Sequence, residues 1–293
     1  MSDFTEILYE KKRSGVLITL NRPEAMNAIS RTVEQELHQA LGEAETDPEI
    51  RAVVLTGSGR AFSAGADQGP RPGRRRDLDW PYGIPTGMSA AEVIDSWRGR
   101  GTNRFLYIWE LGKPVIGAIN GWALGAGSWL ALTTHITIAS ENAVFGQPEV
   151  RHGSNTGFMW TLLAGFKNSL RYALTGDHID SQEALRIGLV NQVVPPDALL
   201  EECFRLVERI ALVPPETVKI NLAIATMGLE MMGFREAFLL DSQLSAPAHA
   251  ILREEFRRPL DDARQNQGIR AYLKLRDGPF QPEPFGPRSR KRE

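Results

Sequence analysis

The sequence predicts an α/β core followed by a helical region. Two observations carry this. Through the first half, short apolar strands alternate with turns and amphipathic helices, whereas from about residue 157 onward the pattern is mostly helical. The strands of the first half are brief and apolar, as in Ala52-Val53-Val54-Leu55-Thr56 and Val115-Ile116-Gly117-Ala118-Ile119, and each gives way to a run of small residues. Strand-turn-helix units of this kind belong to the α/β class.

In chain order, residues 4–20 alternate and end in the apolar burst Gly15-Val16-Leu17-Ile18-Thr19-Leu20, two strands joined by a turn near Arg13-Ser14-Gly15. Asn21-Arg22-Pro23 stops the second strand. Ser30 is placed to cap a helix through Val33, Leu37, Leu41 and Ala44, at helical spacing. The strand Ala52–Thr56 ends at Gly57-Ser58-Gly59, and a small-residue loop, Ala61 to Asp67, follows. Residues 68–88 are rich in Gly, Pro and Arg and contain Trp80 and Tyr82; such a segment is either a surface loop or a lid over a bound group. A helix is predicted from Ser89 to Glu110. Lys113-Pro114 opens the strand Val115–Ile119, followed by Asn120 to Gly127 and an apolar helix from Ser128 to Leu132. Ile136 to Ala139 and Ala143 to Phe145 read as short strands. Pro195-Pro196 and Pro214-Pro215 punctuate the helical half. The reading divides the chain into an α/β core at 1–200, a helical region at 201–280 and a basic, Pro/Arg-rich tail at 281–293. Helices there that cannot bury all their apolar faces favour self-association.

The chain has 293 residues, enough for one large domain or two smaller ones, and 42% hydrophobic with 24% charged residues is an ordinary globular balance. A net charge of -2 provides no field toward nucleic acid or acidic membranes, so neither is expected as a partner. Arg74-Arg75-Arg76 and the tail residues Arg288, Arg290, Lys291 and Arg292 are local basic runs, read as solvated segments or contacts for an anion. The single cysteine, Cys203, allows no intrachain disulfide and sits at helical spacing as a small buried hydrophobe. The N-terminus lacks the layout of a secretory signal, and no apolar run of about 18 residues occurs. The expected setting is cytoplasmic. No metal cluster, dinucleotide fingerprint or phosphate-binding loop is present in the pattern, so no prosthetic cofactor is expected.

Ile18 to Glu24 with Met26-Asn27-Ala28, Ala61 to Asp67, Lys113 to Gly121, Ala123 to Gly127, Phe145 to Glu149, Leu174 to Gly176 and Ala184 to Val190 together, in this order, resemble the crotonase (enoyl-coenzyme A hydratase/isomerase) family. The likeness runs from about residue 6 to 280. It implies a spiral of ββα units with a C-terminal helical trimerisation region, assembled as a trimer or a hexamer. It also implies an acyl-coenzyme A substrate, with coenzyme A entering as part of that substrate.

The chemistry has its own logic. A thioester that gains or loses a proton at its α carbon passes through an enolate-like oxyanion, and pre-aimed backbone N–H groups stabilise that charge. Ser63-Ala64-Gly65-Ala66 and Gly125-Ala126-Gly127 let the backbone approach a ligand closely, and the second precedes a predicted helix whose dipole favours negative charge. By resemblance, Ala66 and Ala126 supply the donors, while Met26, Ala28, Ala64, Asp67 and Gln68 line the coenzyme A groove. Gly125 and Gly157 are expected to support the pocket through their backbone. Lys274, with Arg276, meets coenzyme A phosphates or is a solvated charge.

A hydratase of this family carries two glutamates, one to activate water and one to handle the α-carbon proton. Here the second is Glu149, but Trp129 occupies the first position. Three readings follow: Glu149 acts alone as a proton shuttle, His152 or Asn155 restores a two-group site, or Trp129 is a wall of a pocket rebuilt for a bulky or atypical acyl group. Arg151 pairs with Glu149 or faces solvent. The segment Thr156-Gly157-Phe158-Met159-Trp160 replaces a small glycine-rich turn with large apolar groups. A non-catalytic acyl-coenzyme A binder is the competing class of function.

Overall fold

The computed structural model describes residues 3–67, 102–154, 156–250 and 254–287. The predicted 68–88 segment and most of the predicted 89–110 helix lie outside these residues, as do both basic runs, Gln68 and Asn155. Of that predicted helix the described part, Thr102–Glu110, is a 3-10 helix.

The predicted hairpin is present: β1 (Ile7–Lys12) runs antiparallel to β2 (Gly15–Leu20), with Lys12 opposite Gly15 and the turn at Arg13-Ser14. From β2 the sheet continues in parallel through β3 (Ala52–Gly57), β5 (Val115–Ile119), β7 (Ile136–Ser140) and β10 (Gln192–Val194). A second, smaller sheet has the order β4 (Ala61–Ser63), β6 (Trp122–Leu124), β8 (Val144–Gly146), β9 (Ile179–Asp180). The strands β3, β5 and β7 of the first sheet are each followed by a strand of the second. The chain therefore steps between the two sheets at every turn of the spiral, and the loops leaving the small sheet gather at one end.

Alternation along the central strands assigns each face its helix, because successive side chains point to opposite sides. Val53 and Leu55 of β3 and Val115 and Ile119 of β5 share a core with Val33, Leu37, Ala40, Leu41 and Ala44 of α1 (Arg31–Thr46). Ala52, Val54, Ile116 and Ala118 point the other way, against Cys203, Phe204 and Val207 of α5 (Leu199–Ala211). Cys203 is thus the buried small hydrophobe expected, its thiol pushed up to about 12 by that burial. Ser30 caps α1 as predicted, its Oγ accepting from Val33 N at 3.0 Å, a contact of about 1 kcal/mol.

Between these helices in sequence come α2 (Ala126–Thr133), buried along its whole length, α3 (Phe158–Ala173), kinked where Gly165 takes φ +74°, and the short α4 (Ser181–Arg186). The C-terminal helices are α6 (Pro215–Met231), α7 (Phe234–Ala250), α8 (Glu254–Gln267) and α9 (Ile269–Asp277). No residue of α6 is buried, and Ile220, Ile224, Met227 and Met231 form an exposed apolar stripe at helical spacing.

The chain end folds back onto the 3-10 turn Pro148–His152 through a buried charge cluster. Arg151, its side chain only 1% exposed, pairs with Asp177 at 3.1 Å, Asp277 at 3.2 Å and Glu283 at 2.8 Å. Its Nε donates to Thr175 O at 2.8 Å, and the guanidinium lies 4.0 Å from the centre of the Phe280 ring. Glu283 also accepts from His178 Nδ1 at 2.9 Å. Neither sequence reading of Arg151 holds: it pairs with carboxylates brought from 26 to 132 positions away in the chain, not with Glu149, and it is shut off from solvent. Removing one member of a buried ionic group strands the others. Arg151→Met is therefore expected to lower unfolding free energy by about 3–5 kcal/mol, read from urea denaturation midpoints against wild type.

Candidate active site

Two loops meet where the small sheet ends. The first follows β4. Ile29 and Ala66 form a parallel bridge in which Ile29 N donates to Gly65 O at 2.8 Å and Asp67 N donates to Ile29 O at 3.0 Å. Backbone groups alternate sides along an extended segment, so the Ala66 N–H lies on the edge away from Ile29. The second loop follows β6. Gly125 has φ +51° and ψ -123°, a conformation open to glycine, and a Cβ there would stand 3.3 Å from Glu149 Oε2. Ala126 then opens α2, so its N–H is one of the donors a helix leaves unspent, at the positive end of the dipole. The loops touch through backbone: a Cβ on Gly127 would fall 2.3 Å from Ser63 O.

Ala64, Gly65 and Ala66 from the first loop, and Gly125 and Ala126 from the second, line one side of a pocket. Trp129, Pro148, Glu149, His152, Ser154 and Arg276 complete it. Glu149 stands on the 3-10 turn after β8, begun by Pro148, and is only 8% exposed. Neither carboxylate oxygen has a hydrogen-bond partner. Burial pushes this carboxyl up to about 8; Arg276 pulls against the rise and Asp241 adds to it. A desolvated, unpartnered carboxyl is costly to keep, and such groups gather where protons are moved.

Trp129 is one turn into α2 and 3% exposed. Its Nε1 donates to Gln147 Oε1 at 3.1 Å, and the same oxygen accepts from Gly157 N at 2.6 Å. The backbone donor expected of Gly157 is thus spent on Gln147. Large residues of the following segment fill the space beyond: Trp160 is buried with its Nε1 donating to Ser128 Oγ at 2.8 Å, and Phe158 packs on Phe234 and Phe238. His152 lines the pocket, its Nδ1 hydrogen-bonded to the Tyr272 hydroxyl of α9.

The remaining predicted residues fall beside the first loop or outside the pocket. Met26 O accepts from Ala64 N at 2.9 Å, and Ala28 O accepts from Arg22 Nη1 at 2.8 Å. Asp67 pairs with that same guanidinium at 2.8 Å. Met26, Ala28, Ala64 and Asp67 therefore form one neighbourhood. Lys274 is exposed on α9 and does not line the pocket. Sequence reasoning missed the part of α9 that faces Glu149. Arg276, weighed as a phosphate contact or a solvated charge, is a pocket wall, and Tyr272 holds His152. Their i, i+4 spacing on a helix was the available signal. Ser154, also in the wall, had no signal. Among the described residues there is no group of three or more metal-ligating side chains, and no helix is long and apolar enough to cross a membrane.

Comparison with known proteins identifies the family. The family profile described as Enoyl-CoA hydratase/isomerase matches residues 10–281. A crotonyl-CoA hydratase of Syntrophomonas wolfei is 33% identical over 94% of this chain and 98% of its own. A short-chain-enoyl-CoA hydratase of Clostridium acetobutylicum is 34% identical over 78% of this chain and 84% of its own. Among solved structures, an enoyl-CoA hydratase/isomerase from Xanthobacter autotrophicus Py2 superposes with a TM-score of 0.81 at 28% identity, covering 95% of this chain and 99% of that one. With a spiral of paired strands in two sheets, a pocket where their loops meet and a profile match over nearly its whole length, this chain belongs to the enoyl-CoA hydratase/isomerase, or crotonase, family.

Proposed function

We propose that this protein acts on an acyl-coenzyme A thioester through an enolate. The Ala66 and Ala126 N–H groups hold the thioester oxygen, and Glu149 moves the proton. The observation that carries this reading is the buried Glu149 carboxyl, without a hydrogen-bond partner, beside the loop that presents Ala126 N–H. Charge developing on the thioester oxygen would meet two donors already in place, each worth about 2.7–4 kcal/mol to such a transition state. Met26, Ala28, Ala64, Asp67 and Gln68 are assigned to the coenzyme A groove and exposed Lys274 to its phosphates. The apolar stripe on α6 supports assembly as a trimer or hexamer.

Trp129 decides which reaction. Relatives that hydrate carry a carboxylate at this place by the family resemblance, and an indole bonded to Gln147 cannot activate water. Proton transfer between carbons of an unsaturated or otherwise activated acyl group needs one carboxylate, and Glu149 supplies it. His152, oriented by Tyr272, is the second group able to exchange a proton in the same pocket. The indole face forms a flat wall for a bulky or atypical acyl group.

Glu149→Gln is expected to lower kcat by about 10²–10⁴-fold on the true substrate with acyl-coenzyme A affinity retained. If Glu149 begins as the base, kcat/KM rises with pH and levels off above about 8, where the carboxylate dominates. Full activity retained in the variant would overturn the role given to Glu149, whereas tight thioester binding with no turnover by wild type across a broad panel would point to a non-catalytic binder instead.

Stability gives an independent check. The folded Glu149 carboxyl holds its proton up to about 8, well above its ordinary value of 4.5. Between those values the native state binds more protons than the unfolded chain, so this group's contribution declines as pH rises through the window. Wild type should therefore lose stability relative to Glu149→Gln from pH 5 to 9, by on the order of a few kcal/mol in paired denaturation curves.

With crotonyl-coenzyme A, hydration far slower than that of an ordinary hydratase is expected. Turnover at the usual rate would overturn the role given to Trp129.

A further inference from the structure

Arg276 is the charged residue among the described pocket lining that the mechanism leaves unused. Its side chain projects from α9 into the same pocket as Glu149 and Trp129, and the residue is only 8% exposed. Nε and Nη2 donate to the two oxygens of Asp277, each at 2.8 Å. Asp277 is not its alone, because Arg151 Nη1 also reaches Asp277 at 3.2 Å. No other carboxylate among the described residues pairs with Arg276. Glu149, the one carboxyl among the described residues that line this pocket, forms no ion pair with it. The second Nη group is engaged by no carboxylate among the described residues; the Tyr272 side chain also interacts with the guanidinium, its ring 5.5 Å away.

The pair with Asp277 joins adjacent residues of one chain segment, so it links no two elements together. That work is done by Arg151. What the position of Arg276 accomplishes is to bring a desolvated positive charge to the acyl pocket. Asp277, shared with Arg151, offsets part of that charge, and Glu149 adds to the offset only as it ionises, toward and above about 8.

Resting on the acyl-coenzyme A reading above, we propose that Arg276 is a specificity-determining residue that receives a carboxylate carried on the acyl group, making thioesters of dicarboxylic acids the preferred substrates. The planar fork of a guanidinium matches a carboxylate in geometry as well as charge. A coenzyme A phosphate is the other anion in reach of such a protein. The pantetheine arm separates the phosphates from the thioester, however, and Arg276 shares its pocket with the group that handles the acyl proton. Exposed Lys274 on the same helix is the side chain assigned above to a phosphate.

Titration calorimetry on the full chain tests this with four probes: succinyl- and glutaryl-coenzyme A against butyryl- and valeryl-coenzyme A, which carry a methyl in place of the carboxylate. At least one dicarboxylic thioester should bind about tenfold or more tightly than its methyl counterpart, the scale of a charge-assisted hydrogen bond. Arg276→Met should bring that ratio to about one while leaving the methyl counterparts as tight as before, and Arg276→Lys should keep part of it. Equal or weaker binding of both dicarboxylic thioesters by wild type overturns the proposal, and needs no variant. So does a preference that survives Arg276→Met, or a loss that is the same for all four probes, as a phosphate contact would give. Binding of none of the four by wild type would instead refute the acyl-coenzyme A reading itself.

Discussion

The architecture depends on two loops that touch through bare backbone. Ser63 O and the Cα of Gly127 stand so close that no side chain fits between them. This contact holds the end of β4 against the start of α2. Because β4 and β6 are parallel neighbours in the small sheet, the donors of both loops are delivered to one place. The helix and sheet cores behind them, Val53 and Leu55 on one face of β3 and Ala52 and Val54 on the other, set the loops at fixed height. Pre-aimed donors need no reorganisation when charge develops, which is what gives such sites their effect.

Opposite the loops, the pocket is closed by structure from far along the chain. The turn that carries Glu149 also carries Arg151, and Arg151 gathers Asp177, Asp277 and Glu283 around a single guanidinium. A turn of five residues has little rigidity of its own. Here it is tied down by carboxylates on both sides, so Glu149 keeps its position without any hydrogen bond to its carboxylate oxygens. The same folding back brings Tyr272 to His152 and Arg276 into the wall.

The parts of this molecule that local chemistry decides were legible in the sequence. The hairpin at Arg13-Ser14, the Ser30 cap, the buried strands β3 and β5 and the two small-residue loops follow from turn formers, capping oxygens and apolar runs. Strands β9 and β10 were not legible, because two or three residues carry no periodicity and their pairing partners lie elsewhere. The environment of Glu149 was hidden for a related reason. Its neighbour Arg276 and two of the three carboxylates around Arg151, Asp277 and Glu283, come from the chain end, and spacing along a sequence does not report contacts over more than a hundred positions. The partner of the Gly157 backbone donor was equally hidden, because it is a side-chain amide, Gln147, ten positions away.

That amide has a consequence for how this pocket can change. Gln147 Oε1 serves Trp129 and Gly157 at once, so both neighbours present donors to it. A carboxylate substituted for Trp129 would bring an acceptor toward an acceptor. Turning the amide over would offer its Nε2 to the new carboxylate but point an N–H at the Gly157 N–H, exchanging one conflict for another. Placing an acid at this position therefore also calls for a new partner for either Gln147 or the Gly157 N–H. A single substitution of a carboxylate for Trp129 would strand a buried polar group beside Gln147, a cost written in hydrogen-bond polarity.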